Sequence, residues 1–311
     1  MKVIKNLRDI FRREFSFFCL FPALMWQFIF LYLPLAAILL FSFSNYAQTG
    51  KIFTSWTLVH YTKVLQPIYI KVIFHSLLLA LLTAICCFLI SYPVAYFIAL
   101  KVRRFRAALL LLLILPSWTN FIVQVYAWFF LLGRGGVFSS FLYKIGFVQE
   151  FPQLLNTYFS ALVGMVYCYL PFMIFPIFAI LEKIDKRLLE ASADLGAGRF
   201  ETLRNVTLPL SMQGIYAGFL LVFVPAFGEF AIPLLLGGAK NVYFGSVISD
   251  MFLISRDWAT GFALASVGIL FLVSFLACIS AVLNLFRVLQ RYRRKRFERS
   301  IEAADVPYGW H

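Results

Sequence analysis

Six apolar runs, at about 17–43, 72–100, 107–132, 158–181, 210–236 and 261–286, constrain this chain more than any other feature. A helix needs about 20 residues to cross a hydrocarbon core of roughly 30 Å, and each run supplies that length. The rest of the composition agrees: 62% of the 311 residues are hydrophobic and only 14% are charged, far from the balance of a soluble domain. The expected fold class is therefore an all-α integral membrane protein with six transmembrane helices. The first run follows Lys2, Lys5, Arg8, Arg12 and Arg13. It exceeds the h-region of a signal peptide, and no small-x-small site follows it, so it reads as a retained anchor.

A net charge of +14 raises the question of nucleic acid, and the placement of the basic residues answers it. The segments flanking the spans hold 5, 3, 4, 2, 5, 2 and 7 Lys and Arg in order, so alternate segments carry 21 against 7. That is the positive-inside bias, and it places both termini in the cytoplasm. The expected organisation is a cytoplasmic arm over 1–16, a six-helix domain over 17–286 with a long inner loop at 182–209, and a basic tail over 287–311. The tail is read as touching anionic lipid headgroups, and no nucleic acid is expected. The cysteines (Cys19, Cys86, Cys87, Cys168, Cys278) fall inside the runs without metal-ligand spacing to His60, His75 or His311, so no metal site is expected.

The inner loop between the fourth and fifth runs carries the clearest motif, EASADLGAGRFETLRNVTLP at 190–209. Asp185 is placed to cap a helix through KRLLEASADL, Gly196 and Gly198 to stop it, and RFETLRNVTL to form a second short helix before Pro209. Ala191, Ser192 and Ala193 are small enough for another protein to approach closely. The landmarks Glu190, Ala191, Ser192, Gly196, Leu208 and Pro209 resemble the EAA motif of permease subunits from ABC importers: Glu-Ala-Ala, three residues, Gly, nine residues, Ile-x-Leu-Pro. Ser192 stands for the second Ala and Val206 for the Ile.

The resemblance implies the type I importer permease fold, with residues 185–205 as the coupling helix that docks on a cytoplasmic ATPase. It further implies a second permease chain, more often a different one than a copy, two ATPase subunits, an extracytoplasmic substrate-binding protein, and a place in the inner membrane of a bacterium. No G-x-x-x-x-G-K-[ST] occurs in the sequence, so ATP and Mg belong to the partner ATPase and this chain has no cofactor and no catalytic residue of its own.

Of the fourteen acidic residues only Glu229 lies inside an apolar run, in FVPAFGEFAIP between Pro225 and Pro233. An ionisable group at a lipid-facing helix centre costs about 2.5–3.5 kcal/mol or more, so Glu229 must face a cavity or a partner, and the prolines point to a broken helix there. Either a substrate route or a structural hydrogen bond to a neighbouring helix satisfies that requirement. In the third run Ser117, Asn120, Gln124 and Trp128 fall at three- and four-residue steps, as on one helix face. Such a face serves as interhelical glue or lines a route, in which case Trp118 or Trp128 near a carboxylate suits an organic cation. Asp250 and Asp257, in the last outer loop, are placed to meet a binding protein or substrate, or are ordinary solvated charges.

The second half of the chain resembles more narrowly the permease subunits of spermidine/putrescine importers, the PotB/PotH type. The carriers of that likeness are Gly-Glu-Phe at 228–230, Leu-Gly-Gly at 236–238, and Arg-Asp-Trp with the following Gly at 256–261. The implied function is alternating-access transport of a polyamine. Permeases for thiamine, iron or other small solutes share this architecture, and a carboxylate-dependent secondary carrier or channel is the reading from another class. A membrane enzyme requires convergent acids or histidines on the spans, which the sequence lacks.

Overall fold

A computed structural model describes residues 21–44, 56–102, 104–146, 152–238 and 242–304, the last stretch by backbone alone beyond 281. The arm at 1–16 and Cys19 lie outside the described residues. Helices α1 (Phe21–Ser42), α3 (Pro67–Lys101), α7 (Tyr158–Leu181) and α9 (Arg199–Gly228) are each long and apolar enough to cross a membrane. So are the segment Phe121–Phe141 and the first part of α12 (Trp258–Ala304), which makes six such elements among the described residues. Between them lie α2 (Val59–Val64), α4 (Arg106–Trp118), α5 (Phe121–Leu132), α6 (Val137–Lys144), α8 (Lys186–Asp194), α10 (Ala231–Leu236) and α11 (Phe244–Leu253). The described residues form two compact units, Phe41–Phe262 and the described parts of 1–40 and 263–311.

In the larger unit α3, α7 and α9 pack against one another. The reason is written along α3, where Ser76, Ala80, Thr83, Ala84, Cys87, Ser91 and Ala95 recur at helical steps and are all buried. Lipid is as apolar as leucine, so helices in it associate through close packing and polar contacts at small residues. The Cys87 thiol points at the Val166 carbonyl (3.6 Å) and the Ser91 hydroxyl donates to the Leu170 carbonyl (3.4 Å), both on α7. From the other side Tyr92 meets Ser211 of α9 at 3.2 Å.

Glycine does the same work between α7 and α9. A Cβ on Gly214 would lie 2.6 Å from the Pro176 carbonyl oxygen and 3.1 Å from the Ile177 Cα, backbone atoms that cannot step aside. Gly214→Leu is expected to cost about 1–3 kcal/mol by overpacking, read as a lower thermal transition of the purified protein in detergent. Gly228→Ala, where nothing lies within 4 Å, is the matched substitution expected to leave that transition in place.

The third apolar run departs from the single span expected over 107–132. The chain breaks after Leu115–Trp118, a short 3-10 turn containing Pro116, and restarts at α5 with Asn120 as its cap. Proline cannot donate within the helix, and Asn120 offers its side-chain oxygen to the Ile122 N–H at 2.8 Å, which starts a new helix. The spanning stretch shifts forward and reaches into α6 as far as Phe141, beyond the bend at Gly133–Gly136. The fifth run differs too: α9 begins in the inner loop at Arg199 and passes Pro209 without interruption, because the turn Leu203–Thr207 just before it widens to π geometry.

Elsewhere in this unit, buried His60 of α2 lies 3.1 Å from the Thr260 hydroxyl, which donates to Asp257 at 2.8 Å. Burial lowers the His60 pKa from its ordinary value, outweighing the opposite pull of Asp257. In the smaller unit, α1 exposes Phe21, Trp26, Phe28, Phe30 and Leu33, the all-round apolar surface expected of a helix in lipid.

Candidate functional site

Among the described residues, the loop between α7 and α9 and the break in the fifth run both depart from plain helix packing. In the loop, Asp185 caps α8 by accepting from the Arg187 N–H at 3.0 Å. Gly196 adopts φ +83°, a left-handed conformation that ends the helix and that other residues adopt only under strain. Gly198 then starts α9, its N–H bonded to the Glu201 carboxylate at 3.0 Å. Ser192, the departure from the resembled pattern, has a physical role: its hydroxyl meets that of Thr202 at 3.0 Å and ties α8 to the first turn of α9.

Glu190, Ala191, Gly196 and Pro209 are exposed, and Leu208 is partly so. Leu189 and Glu190 line a shallow cavity with Tyr96, Leu100, Lys101 and Lys186, so α8 and the C-terminal end of α3 face each other across it. Leu188, Leu195 and Phe200 expose 48%, 89% and 73% of their surface on a charged segment that lipid would not cover under the expected topology. Leu188 and Leu195 stand in the apolar-spaced stretch KRLLEASADL; Phe200, inside the charged run GRFETLR, is legible only once the chain is folded.

The loop is anchored by a residue that spacing did not mark. Arg106 donates to the Ile98 and Ala99 carbonyls at the C-terminal end of α3 and pairs with Glu182 at the end of α7, its guanidinium 5.8 Å above the Phe178 ring. The carbonyls at a helix C-terminus have no partners within the helix, and Arg106 supplies them.

At the other site, α9 ends at Gly228 and α10 begins at Ala231, which leaves Glu229 between two helices in extended geometry. Its Oε1 accepts from the Ala231 N–H at 2.9 Å and the Ile232 N–H at 3.5 Å, and its Oε2 accepts from the Tyr169 hydroxyl of α7 at 2.8 Å. The far end of α10 is closed by the Ser160 hydroxyl and the Asn156 N–H, both donating to the Leu236 carbonyl, at 2.7 and 2.8 Å. Helix α11 covers the break: Gly245 sits where a Cβ would lie 2.4 Å from the Gly228 carbonyl oxygen. The broken helix is thus built, with each end satisfied, and the Glu229 side chain stays half-buried.

The expected polar face of the third run is only partly assembled. Ser117 lies in the 3-10 turn and Asn120 is a helix cap, so neither shares a helix face with Gln124 and Trp128. The Gln124 amide nitrogen faces the Pro116 carbonyl (2.6 Å), the Thr119 carbonyl (3.2 Å) and the Thr119 hydroxyl (3.1 Å). Its oxygen therefore turns the other way, 3.8 Å from the Cys168 thiol, next in sequence to Tyr169. Trp128 stacks edge-on with Tyr167 at 5.5 Å, while Trp118 is 72% exposed. Helix α5 packs on both α7 and α10, which brings Gln124 and Glu229 to neighbouring helices. Asp257 caps α12, its two oxygens accepting from the Thr260 N–H and hydroxyl, and Asp250 is exposed. No group of three or more His, Cys, Asp or Glu able to hold a metal occurs among the described residues.

Residues 91–296 match the family described as binding-protein-dependent transport system inner membrane component. The spermidine/putrescine transport system permease protein PotB of Escherichia coli (strain K12) is 40% identical over 238 residues, covering 76% of this chain and 86% of its own. PotB of Haemophilus influenzae is 40% identical over 253 residues, 81% of this chain and 87% of its own. Among solved structures, a bacterial ABC transporter involved in the import of the acidic polysaccharide alginate aligns with a TM-score of 0.65 over 93% of this chain and 99% of that one. At 20% sequence identity that likeness concerns the fold alone.

Proposed function

Since the chain belongs to the family of binding-protein-dependent transport system inner membrane components, we infer that it is the transmembrane permease subunit of an ATP-driven importer whose cargo is a polyamine, spermidine or putrescine. The observation that carries the cargo is the 40% identity to PotB across three quarters of the chain, and that match spans the stretch holding Glu229. Transport needs no covalent chemistry here. Cargo handed over by an extracytoplasmic binding protein passes between this chain and a second permease as the two alternate between outward and inward openings.

The coupling segment is 185–205. Glu190, Ala191, Ser192 and Gly196, with Leu208 and Pro209 at its exit, present the exposed apolar side chains Leu188, Leu195 and Phe200 to one of two cytoplasmic ATPase subunits, which bind ATP and Mg. The cargo route runs past Glu229, with Gln124 and Trp128 beside it and Asn120 and Trp118 nearer the exposed break of the third run. Asp250, exposed on α11, is the contact offered to the binding protein; Asp257, between α11 and α12, serves first as a helix cap. The decisive experiment purifies the tagged chain from bacterial inner membrane and reconstitutes what comes with it. An ATPase and a second permease are expected to co-purify, and vesicles holding all of them are expected to take up spermidine in an ATP- and binding-protein-dependent manner. Uptake by the chain alone along an ion gradient would replace this reading with that of a secondary carrier.

Orientation has its own test. In a chain whose native cysteines are replaced, Cys at position 254, where Ile254 is 77% exposed, is expected to react with an impermeant maleimide from outside. Cys at position 199, in the coupling segment, is expected to react only after permeabilisation. The reverse pattern would put the coupling segment on the wrong side for a cytoplasmic ATPase.

A further inference from the structure

The polar groups around Glu229 share a sense of direction. Tyr169 has one proton, and it is given to Glu229 Oε2. Gln124 has two, and its nitrogen is turned to the carbonyls of Pro116 and Thr119 and the Thr119 hydroxyl. The Ala231 and Ile232 N–H groups point at Oε1. Each donor is used within the protein, and what remains on the half-buried side is lone pairs: on Glu229 Oε2, on the Tyr169 oxygen and on the Gln124 amide oxygen. An ammonium group is the complement of these three oxygens, since it carries only donors; a carboxylate or phosphate would find none of these donors free to accept from.

We propose that Tyr169 is a specificity-determining residue of the transport route, its phenol fixing Glu229 Oε2 while its own oxygen accepts a second hydrogen bond from the same cargo ammonium. The proposal rests on the polyamine reading above and adds to it a residue on a different helix. Tyr169 stands on α7 and Glu229 at the end of α9, so the shared hydrogen bond also sets the carboxylate across a helix boundary. Ammonium held between a phenol oxygen and a carboxylate keeps other N–H groups free for water. That suits a group that must be released again.

The test is a double-mutant cycle on the importer reconstituted with its permease, ATPase and binding-protein partners. Tyr169→Phe removes one oxygen and keeps the ring, and is expected to raise the apparent KM for spermidine on the order of 5- to 10-fold, as for a lost hydrogen bond to a charged group, with the maximal rate and basal ATPase activity little changed. In the Glu229→Gln background the same substitution is expected to add almost nothing, because both changes remove one shared contact. An unchanged KM in Tyr169→Phe beside a raised KM in Glu229→Gln overturns the role of Tyr169 and leaves Glu229 in the route. Equal effects of Tyr169→Phe in both backgrounds also overturn it, as those of a residue acting on structure alone. If neither variant changes the KM, the Glu229 route itself falls and takes the proposal with it. Should Tyr169→Phe assemble poorly, 3,5-difluorotyrosine at 169 keeps the hydroxyl but makes its oxygen a poorer acceptor; a raised KM is again expected, and an unchanged one counts against the proposal.

Discussion

Gly196→Val is expected to abolish spermidine-stimulated ATP hydrolysis while leaving the chain inserted in the membrane. At φ +83° a β-branched residue is a steric outlier, so the chain must abandon the left-handed turn that separates α8 from α9. Leu195 and Phe200 flank that turn and are the most exposed apolar side chains of the segment. Displacing them removes the surface an ATPase can grip, whereas the spanning helices, packed through α3, α7 and α9, hold no contact that depends on Gly196. Glu190→Ala is the companion variant: it leaves the backbone intact and removes the exposed carboxylate beside Lys101 and Lys186 in the cavity between α8 and α3. Both variants are to be compared with the parent for membrane level, co-purified ATPase and stimulated hydrolysis. Normal coupled hydrolysis in both would remove the segment 185–205 from the role of coupling element.

The inner loop was legible in advance because its signals are local. An aspartate cap and a glycine stop each act within a few residues, and the chain folds at Asp185 and Gly196 as those signals direct. Gly198 instead starts α9, which runs on through Pro209, since the turn before it widens and no local signal shows that it can. Six spanning elements were legible for a similar reason, since hydropathy sums over a window and needs no partner. What spacing misjudged was the third run. Three- and four-residue steps from Ser117 to Trp128 assume one continuous helix, and Pro116 followed by a capping Asn120 broke it. Both residues were visible; a single apolar window outweighed them. Tyr169 and Arg106 were out of reach for another reason. Each acts on a residue 60 or 76 positions away, a pairing that only the packing of α7 against its neighbours creates.

The likeness to an alginate importer sharpens what the fold does and does not decide. That transporter shares the architecture over nearly its whole length and handles an acidic polysaccharide, the opposite charge to a polyamine. On the polyamine reading proposed above, one scaffold serves cargo of either sign, and discrimination has to come from the few polar groups lining the route. On the route proposed above, those groups in this chain are a carboxylate and oxygen acceptors whose neighbouring donors are already bonded.

Glu229→Gln is expected to reduce spermidine uptake at sub-saturating cargo by about tenfold or more, the scale of a lost charged hydrogen bond in a poorly hydrated passage. The substitution separates charge from shape. A glutamine oxygen can still accept from the Ala231 and Ile232 N–H groups and keep α10 capped, while its nitrogen turns to Tyr169 and donates to the phenol oxygen. The broken helix therefore survives, and with it assembly and basal ATPase activity. The route is changed twice over: the negative charge is gone, and an acceptor on the cargo side has become a donor. Glu229→Ala is expected to behave differently, because it also removes the cap and leaves two N–H groups unpaired in the membrane, which costs folded protein. Cargo charge supplies the internal comparison. Spermidine carries one more ammonium than putrescine and is expected to lose more uptake in Glu229→Gln. A variant that assembles fully and carries spermidine at the parent rate would leave Glu229 as a helix cap and nothing more.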